Sequence, residues 1–118
     1  MKPGDKAKRL RIHISSTDKS DHKPLYEVIV YSAREQGIAG ATVLRGIMGF
    51  GSSSGEIYTN KLWEISEKVP LVVEIIDESH KIDAFLKSNK DFFENIGKGH
   101  IITLDDTTII MHKTGRKK

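Results

Sequence analysis

Cysteine is absent from this 118-residue chain, which excludes disulfides, thiolate metal centres and a cysteine nucleophile and suits a reducing compartment. Long apolar runs are absent too. The longest, such as 70–73 and 109–111, fall far short of the roughly 20 residues that span a bilayer. The opening Met1-Lys2-Pro3-Gly4-Asp5 lacks the apolar core of a signal peptide. A cytoplasmic protein is therefore expected. No complete nucleotide fingerprint is present either. In Gly49-Phe50-Gly51-Ser52-Ser53-Ser54-Gly55, Ser54 stands where G-x-G-x-x-G needs its third glycine, and no Gly-Lys-Ser/Thr follows for a P-loop.

Chemistry-bearing clusters are equally sparse. His13, His22, His80, His100 and His112 include no pair at the short spacings of helical metal sites. A meeting of His100 with His112 across strands or subunits is the one arrangement left open, and no metal is assigned. Glu74 and Asp77 have no legible cleft that would tune a carboxylate pair, and Ser52 to Ser54 have no evident base beside them. No catalytic residue is assigned, and the chain is not expected to be an enzyme. Trp63 reads as a core or interface anchor rather than a stacking platform for bases.

Charge is concentrated at the ends. Nine of the nineteen Lys and Arg residues lie within 1–11 and 113–118 against one acid, Asp5, leaving ten basic and fifteen acidic residues in the body. Segments 1–6 and 113–118 read as flexible, solvated basic tails, with no dedicated nucleic-acid binding.

What remains is one domain over 1–118, without repeats or an internal linker. Leu10, Ile12 and Ile14 alternate as in a strand. Pro24 then opens a helix with Leu25, Val28, Ile29, Ser32, Ala33 and Gln36 at helical spacing, stopped by Gly37. A β-rich run over 41–48 leads into the loop 49–60, and 61–65 reads as a short strand. Residues 69–77 form a strand rich in branched side chains. A second helix runs through Ile82, Phe85, Leu86, Asn89, Phe93 and Ile96, capped by Asp77 or Ser79 and stopped by Gly97. Strands over 101–104 and 107–112 close the domain around Asp105-Asp106. The order is the split βαβ, an α+β ferredoxin-like βαββαβ sandwich with an extended loop after the second strand. Apolar residues fall on both faces of three strands: Val43 and Ile47 oppose Leu44 and Met48, Leu71, Val73 and Ile75 oppose Val72 and Ile76, and Ile109 and Met111 oppose Ile110. Both faces should be buried, and the second by another copy of the chain, although this pattern does not set the copy number.

Two stretches carry a resemblance. Gly40-Ala41-Thr42-Val43-Leu44-Arg45-Gly46-Ile47-Met48-Gly49-Phe50-Gly51 and Val69-Pro70-Leu71-Val72-Val73-Glu74-Ile75-Ile76-Asp77 resemble the bacterial and archaeal family known as domain of unknown function 190 over residues 7 to 112. More remotely, Gly49-Phe50-Gly51, Ile96-Gly97-Lys98-Gly99-His100-Ile101 and Thr114-Gly115 are similar to motifs of the PII signalling proteins. The resemblance implies a homotrimeric sensor. An adenine nucleotide or other small anion would sit at subunit seams, with no obligatory cofactor, and the loop 49–60 would engage a partner such as a membrane transporter or channel. It places Gly49, Phe50 and Gly51 beside an adenine pocket and Gly97, Lys98, Gly99, His100 and Lys113 near the phosphates. This chain has His100 where PII proteins usually carry Lys, Met111 and Lys113 where they carry two Arg, and Ser52-Ser53 where they carry Arg-Gln. Tyr58 is a loose counterpart of their modified tyrosine. Two alternatives remain at this level: a small oligomeric enzyme using His100 and a carboxylate at the seam, and a nucleic-acid accessory protein using its tails.

Overall fold

The computed structural model describes residues 1–51, 57–59 and 68–115. Trp63, the strand expected over 61–65, Ser52 to Ser54 and much of the loop 49–60 lie outside the described residues. The main elements are β1 (Lys6–Ser15), α1 (Leu25–Glu35), β2 (Ala41–Arg45), β3 (Pro70–Glu78), α2 (Ser79–Ser88), α3 (Lys90–Glu94) and β4 (Ile101–Thr108). The four strands make one antiparallel sheet in the order β2-β3-β1-β4. This is the ferredoxin-like arrangement: each helix connects two parallel strands that have a third strand between them.

Register explains which residues form the core. Opposite one another on the helix-covered face stand Val43, Val73, Ile12 and Ile102, flanked by Ile75, Leu10, Leu71 and Ile14. Leu25, Ile29 and Ala33 of α1, Ile82 and Phe85 of α2, and Phe93 of α3 close over them. Phe85 and Phe93 meet edge to face at 6.3 Å. Pro70 begins β3, where a missing N–H costs no ladder bond.

Gly37 ends α1 at φ +78. Its N–H donates to the Arg34 carbonyl and that of Ile38 to Ala33, which together make a Schellman motif. The second helix departs from expectation. It breaks at Asn89 into α2 and α3, where this side chain is buried and competes for the Phe85 carbonyl that the Asn89 N–H also uses. Asn89 Nδ2 donates to the Phe85 carbonyl at 2.8 Å and to Gln36 Oε1 at 3.3 Å, and its Oδ1 accepts from the Ser32 hydroxyl at 3.2 Å. Asn89→Ala strands these partners and is expected to destabilise the domain by about 1–2 kcal/mol, read as a lower urea midpoint at unchanged slope.

Neither proposed residue caps α2. Asp77 instead accepts the Ala39 N–H at 2.9 Å and the Glu78 N–H at 2.7 Å, tying β3 to the start of β2. Three strand expectations also need correction. β2 stops at Arg45, and only Met48–Gly49 resumes pairing, with Tyr58–Thr59. β4 runs unbroken through Asp105-Asp106, whose partners on β1 are Arg9 and Lys8. Beyond Thr108 there is no regular structure up to Gly115.

The uncovered face is therefore less apolar than its sequence implied, because Ile47, Met48, Ile110 and Met111 belong to no strand of the sheet. One row across it is Leu44, Val72, His13 and Ile101, and the next is Thr42, Glu74, Arg11 and Thr103. Arg11 pairs with Glu74 at 3.0 Å and Arg9 with Asp105 at 3.5 Å. Leu44 and Ile101 remain 50% and 60% exposed within one chain.

The ends make bonds of their own. The Gly4 N–H donates to the Ile109 carbonyl at 2.7 Å, the Lys2 N–H to Asp5 Oδ2 at 2.8 Å, and the terminal amine approaches His112 Nδ1 at 3.3 Å. Among the described residues no helix is long and apolar enough to cross a membrane.

Candidate functional site

The site lies at one end of the sheet, where sequence-distant segments converge. Antiparallel pairing sets the end of β1 beside the start of β3, with Ser15 opposite Pro70 and Ile14 opposite Leu71. On its other edge the same end of β1 meets the start of β4, with His13 opposite Ile101. The turn 97–100 precedes β4, and the chain after β2 returns here because the Gly46 N–H donates to the Pro70 carbonyl at 2.8 Å.

Two glycines make that return possible. A Cβ on Gly46 would lie 2.7 Å from Pro70 Cγ and 3.2 Å from the Pro70 carbonyl oxygen, and one on Gly49 would lie 3.1 Å from Pro70 Cγ. Both approaches need the missing side chain. Together they hold the stem of the 49–60 loop against the Pro70 ring.

The resulting cleft has a volume of about 390 Å³, within the usual range for small-ligand sites. Its walls include Phe50 and Gly51 from the loop stem, Lys98, Gly99 and His100 from the turn, and Lys68 and Pro70 from the entry to β3. His13, Ser15 and Asp18 supply the third side. Of the residues singled out from sequence, the cleft thus gathers Phe50, Gly51, Lys98, Gly99 and His100. Gly49 sits behind it against Pro70, while Gly97 and Lys113 do not line it. His112 is on another cavity of about 410 Å³ with Met1 and Ile76, so His100 and His112 do not share a site within one chain.

Electrostatically the cleft suits an anion. Among the described residues its charged and titratable lining consists of Lys68, Lys98, His13 and His100 against a single carboxylate, Asp18. His100 Nδ1 lies 3.0 Å from the Lys98 carbonyl, which can only accept, so this nitrogen is the donor of the contact. Phe50 is 71% exposed, offering a flat apolar surface. Sequence inspection missed His13, Ser15, Asp18, Lys68 and Pro70. The ferredoxin-like strand order, once assumed, would have brought the end of β1 to this place. No three metal-ligating side chains cluster among the described residues.

A βαββαβ sheet of order β2-β3-β1-β4, with a glycine-pinned loop stem and a cationic turn meeting at one end, defines a PII-like fold. The chain belongs to the DUF190 family, described as Uncharacterized ACR, whose model matches residues 7–109. It is 42% identical to a UPF0166 protein of Aquifex aeolicus over 106 residues, covering 89% of this chain and 94% of the relative. A UPF0166 protein of Methanocaldococcus jannaschii is 29% identical over 92 residues, covering 78% and 83%. Among solved structures, the chain is similar to CPII from Thiomonas intermedia K12, a nitrogen regulatory PII-like protein bound to ADP, AMP and bicarbonate. That likeness has a TM-score of 0.64 and 18% identity and covers 90% of each chain. A protein of Thermus thermophilus described as PII-like aligns with a TM-score of 0.63 and 15% identity over 93% of this chain and 94% of that one.

Proposed function

We propose that this protein is a PII-like sensor without catalysis of its own. It binds an adenine nucleotide or a similar small anion in the cleft between Phe50-Gly51 and Lys98-Gly99-His100, and it signals through the loop 49–60. The observation that carries this reading is the convergence itself: the stem of the loop, the segment that enters β3 and the cationic turn line one cavity. A ligand there touches Phe50 and Gly51 of the loop stem, so its binding favours any arrangement of the loop for which its affinity is higher. The nucleotides bound to CPII add support from the fold.

In the same reading three copies associate through the uncovered sheet face, and the loop then meets a protein partner, a transporter or channel by analogy with PII proteins. The apolar row Leu44, Val72 and Ile101 gives that association its surface, and it adjoins the cleft because His13 and Ile101 belong to both.

The test is a thermal-shift series with ADP, AMP and bicarbonate. A ligand present at 100 times its Kd adds about 2.7 kcal/mol to the folded state, which for a domain of this size raises Tm by roughly ten degrees or more. Lys98→Glu reverses the charge of an exposed wall residue without touching the core and should cut nucleotide affinity by about tenfold or more, the worth of one charge-assisted contact. Equal shifts in both proteins would remove the turn from the site. No shift of the unaltered protein with any of the three would overturn the nucleotide reading.

A further inference from the structure

Among the described residues of the wall, Asp18 is the one that an anion site would exclude. It is 4% exposed, yet it lines the cleft beside Ser15. Its Oδ2 accepts the Ser15 N–H at 2.9 Å, its own N–H donates to the Ser15 carbonyl at 3.1 Å, and its carbonyl accepts the Leu25 N–H at 2.8 Å. Among the described residues no other hydrogen bond engages its carboxylate, so Oδ1 keeps its accepting capacity at the cavity wall. Closing a turn alone would be served by any Asn or Ser; a nearly buried carboxylate with an open oxygen in a cationic cleft does more.

From this arrangement we infer that the cleft is bipolar and that Asp18 determines its specificity. Resting on the sensor reading above, the inference narrows the ligand class. The ligand places its anionic group at Lys98 and His100 and presents a hydrogen-bond donor to Asp18 Oδ1. Anions without an O–H or N–H, such as sulfate or chloride, lack that donor, and an anionic group turned toward Asp18 meets like charge in a poorly solvated wall. The carboxylate therefore sets the direction in which the ligand lies as well as its class. A nucleoside phosphate satisfies both poles, with its donor being either the exocyclic amine of adenine or a ribose hydroxyl. Sites built to accept from a ligand donor discriminate strongly against analogues without one, because the buried acceptor is left unpaired.

Titration calorimetry on the whole protein tests this with four probes: ADP, inosine diphosphate, 2′,3′-dideoxy-ADP and pyrophosphate. ADP should bind at least about tenfold more tightly than pyrophosphate. Loss on inosine diphosphate assigns the donor to the base amine, and loss on the dideoxy analogue assigns it to the sugar. In Asp18→Asn the amide oxygen still accepts from Ser15 while an NH₂ replaces the open oxygen. That variant should lose the preference and bind pyrophosphate as well as before or better; if the donor is the base amine, it should come to favour inosine diphosphate.

Should the unaltered protein bind both analogues as it binds ADP, or Asp18→Asn keep the original preference, the inference is overturned. A variant that lost pyrophosphate together with ADP would likewise overturn it, by making Asp18 a structural residue. Equal affinity of the unaltered protein for ADP and pyrophosphate would sink the donor while leaving the anion cleft standing. Binding of none of the four would overturn the sensor reading itself. If Asp18→Asn does not fold, the analogue series on the unaltered protein decides alone.

Discussion

Gly46→Val is expected to remove nucleotide binding and to lower stability together. The first atom of any side chain at 46 would stand 2.7 Å from Pro70 Cγ and 3.2 Å from the Pro70 carbonyl oxygen. The backbone cannot simply withdraw, because the Gly46 N–H bonds that same carbonyl at 2.8 Å. Forcing a branched side chain into the contact costs about 1–3 kcal/mol by the usual measure of overpacking. That corresponds to a Tm lower by roughly 4 °C per kcal/mol for a domain of this size. The relief available is to part the loop stem from Pro70, which carries Phe50 and Gly51 away from the cleft wall. ADP affinity should then fall by at least about thirtyfold, about 2 kcal/mol, measured by calorimetry at a temperature where the variant remains folded. Ile47→Ala is the control, since Ile47 is 77% exposed and its loss should change neither quantity. A folded Gly46→Val protein with unaltered ADP affinity would show that the ligand does not use this wall.

The second large effect concerns assembly. Leu44→Asp combined with Ile101→Asp should convert the assembled protein to single chains. Leu44 and Ile101 are the two outer members of the row that crosses the uncovered face through Val72 and His13. Leu44 and Ile101 are 50% and 60% exposed in one chain, so burying what remains of each is worth roughly 1–2 kcal/mol, and the term recurs in every subunit of a symmetric ring. An aspartate there gains nothing from association and must lose its hydration to allow it. The row beside it is already committed within the chain, since Arg11 pairs with Glu74 at 3.0 Å. In sedimentation velocity the double variant should run at the 13.2 kDa of one chain and the unaltered protein at three times that mass. An unaltered protein of single-chain mass would defeat the trimer reading. An assembled double variant would place the interface elsewhere.

These two predictions draw unequally on what could be read before the fold was known. Local periodicity sufficed for the core. The alternation of Leu10, Ile12 and Ile14 and the helical spacing of Leu25, Ile29 and Ala33 led to residues that are in fact buried together. The stop at Gly37 was equally local, because a residue at positive φ after a helix is written in its identity. Where the reading went astray, a long-range contact had overridden a local pattern. Ile47 and Met48 continue the apolar rhythm of β2, but the Gly46 N–H bonds the carbonyl of Pro70, the first residue of β3, which has no N–H to return, and the ladder ends before they can join the sheet. Asp105-Asp106 look like a turn in isolation, yet Arg9 and Lys8 opposite them let β4 run straight through. At Asn89, bonds to Ser32 and Gln36 of the other helix divide what periodicity shows as one helix.

The candidate site divides in the same manner. Composition and spacing by themselves pointed to the two strands and first helix of the core and to the glycine-containing stretches at 49–55 and 97–99, since each is a property of neighbours along the chain; that stem and turn belong to a ligand site came from the family resemblance. Only the tertiary structure decided that stem and turn share a cleft, that Gly49 lies behind it, and that Asp18 forms part of its wall. Those facts depend on strand order and register. A period of two tells which side of a strand is buried, but not which strand lies next to it.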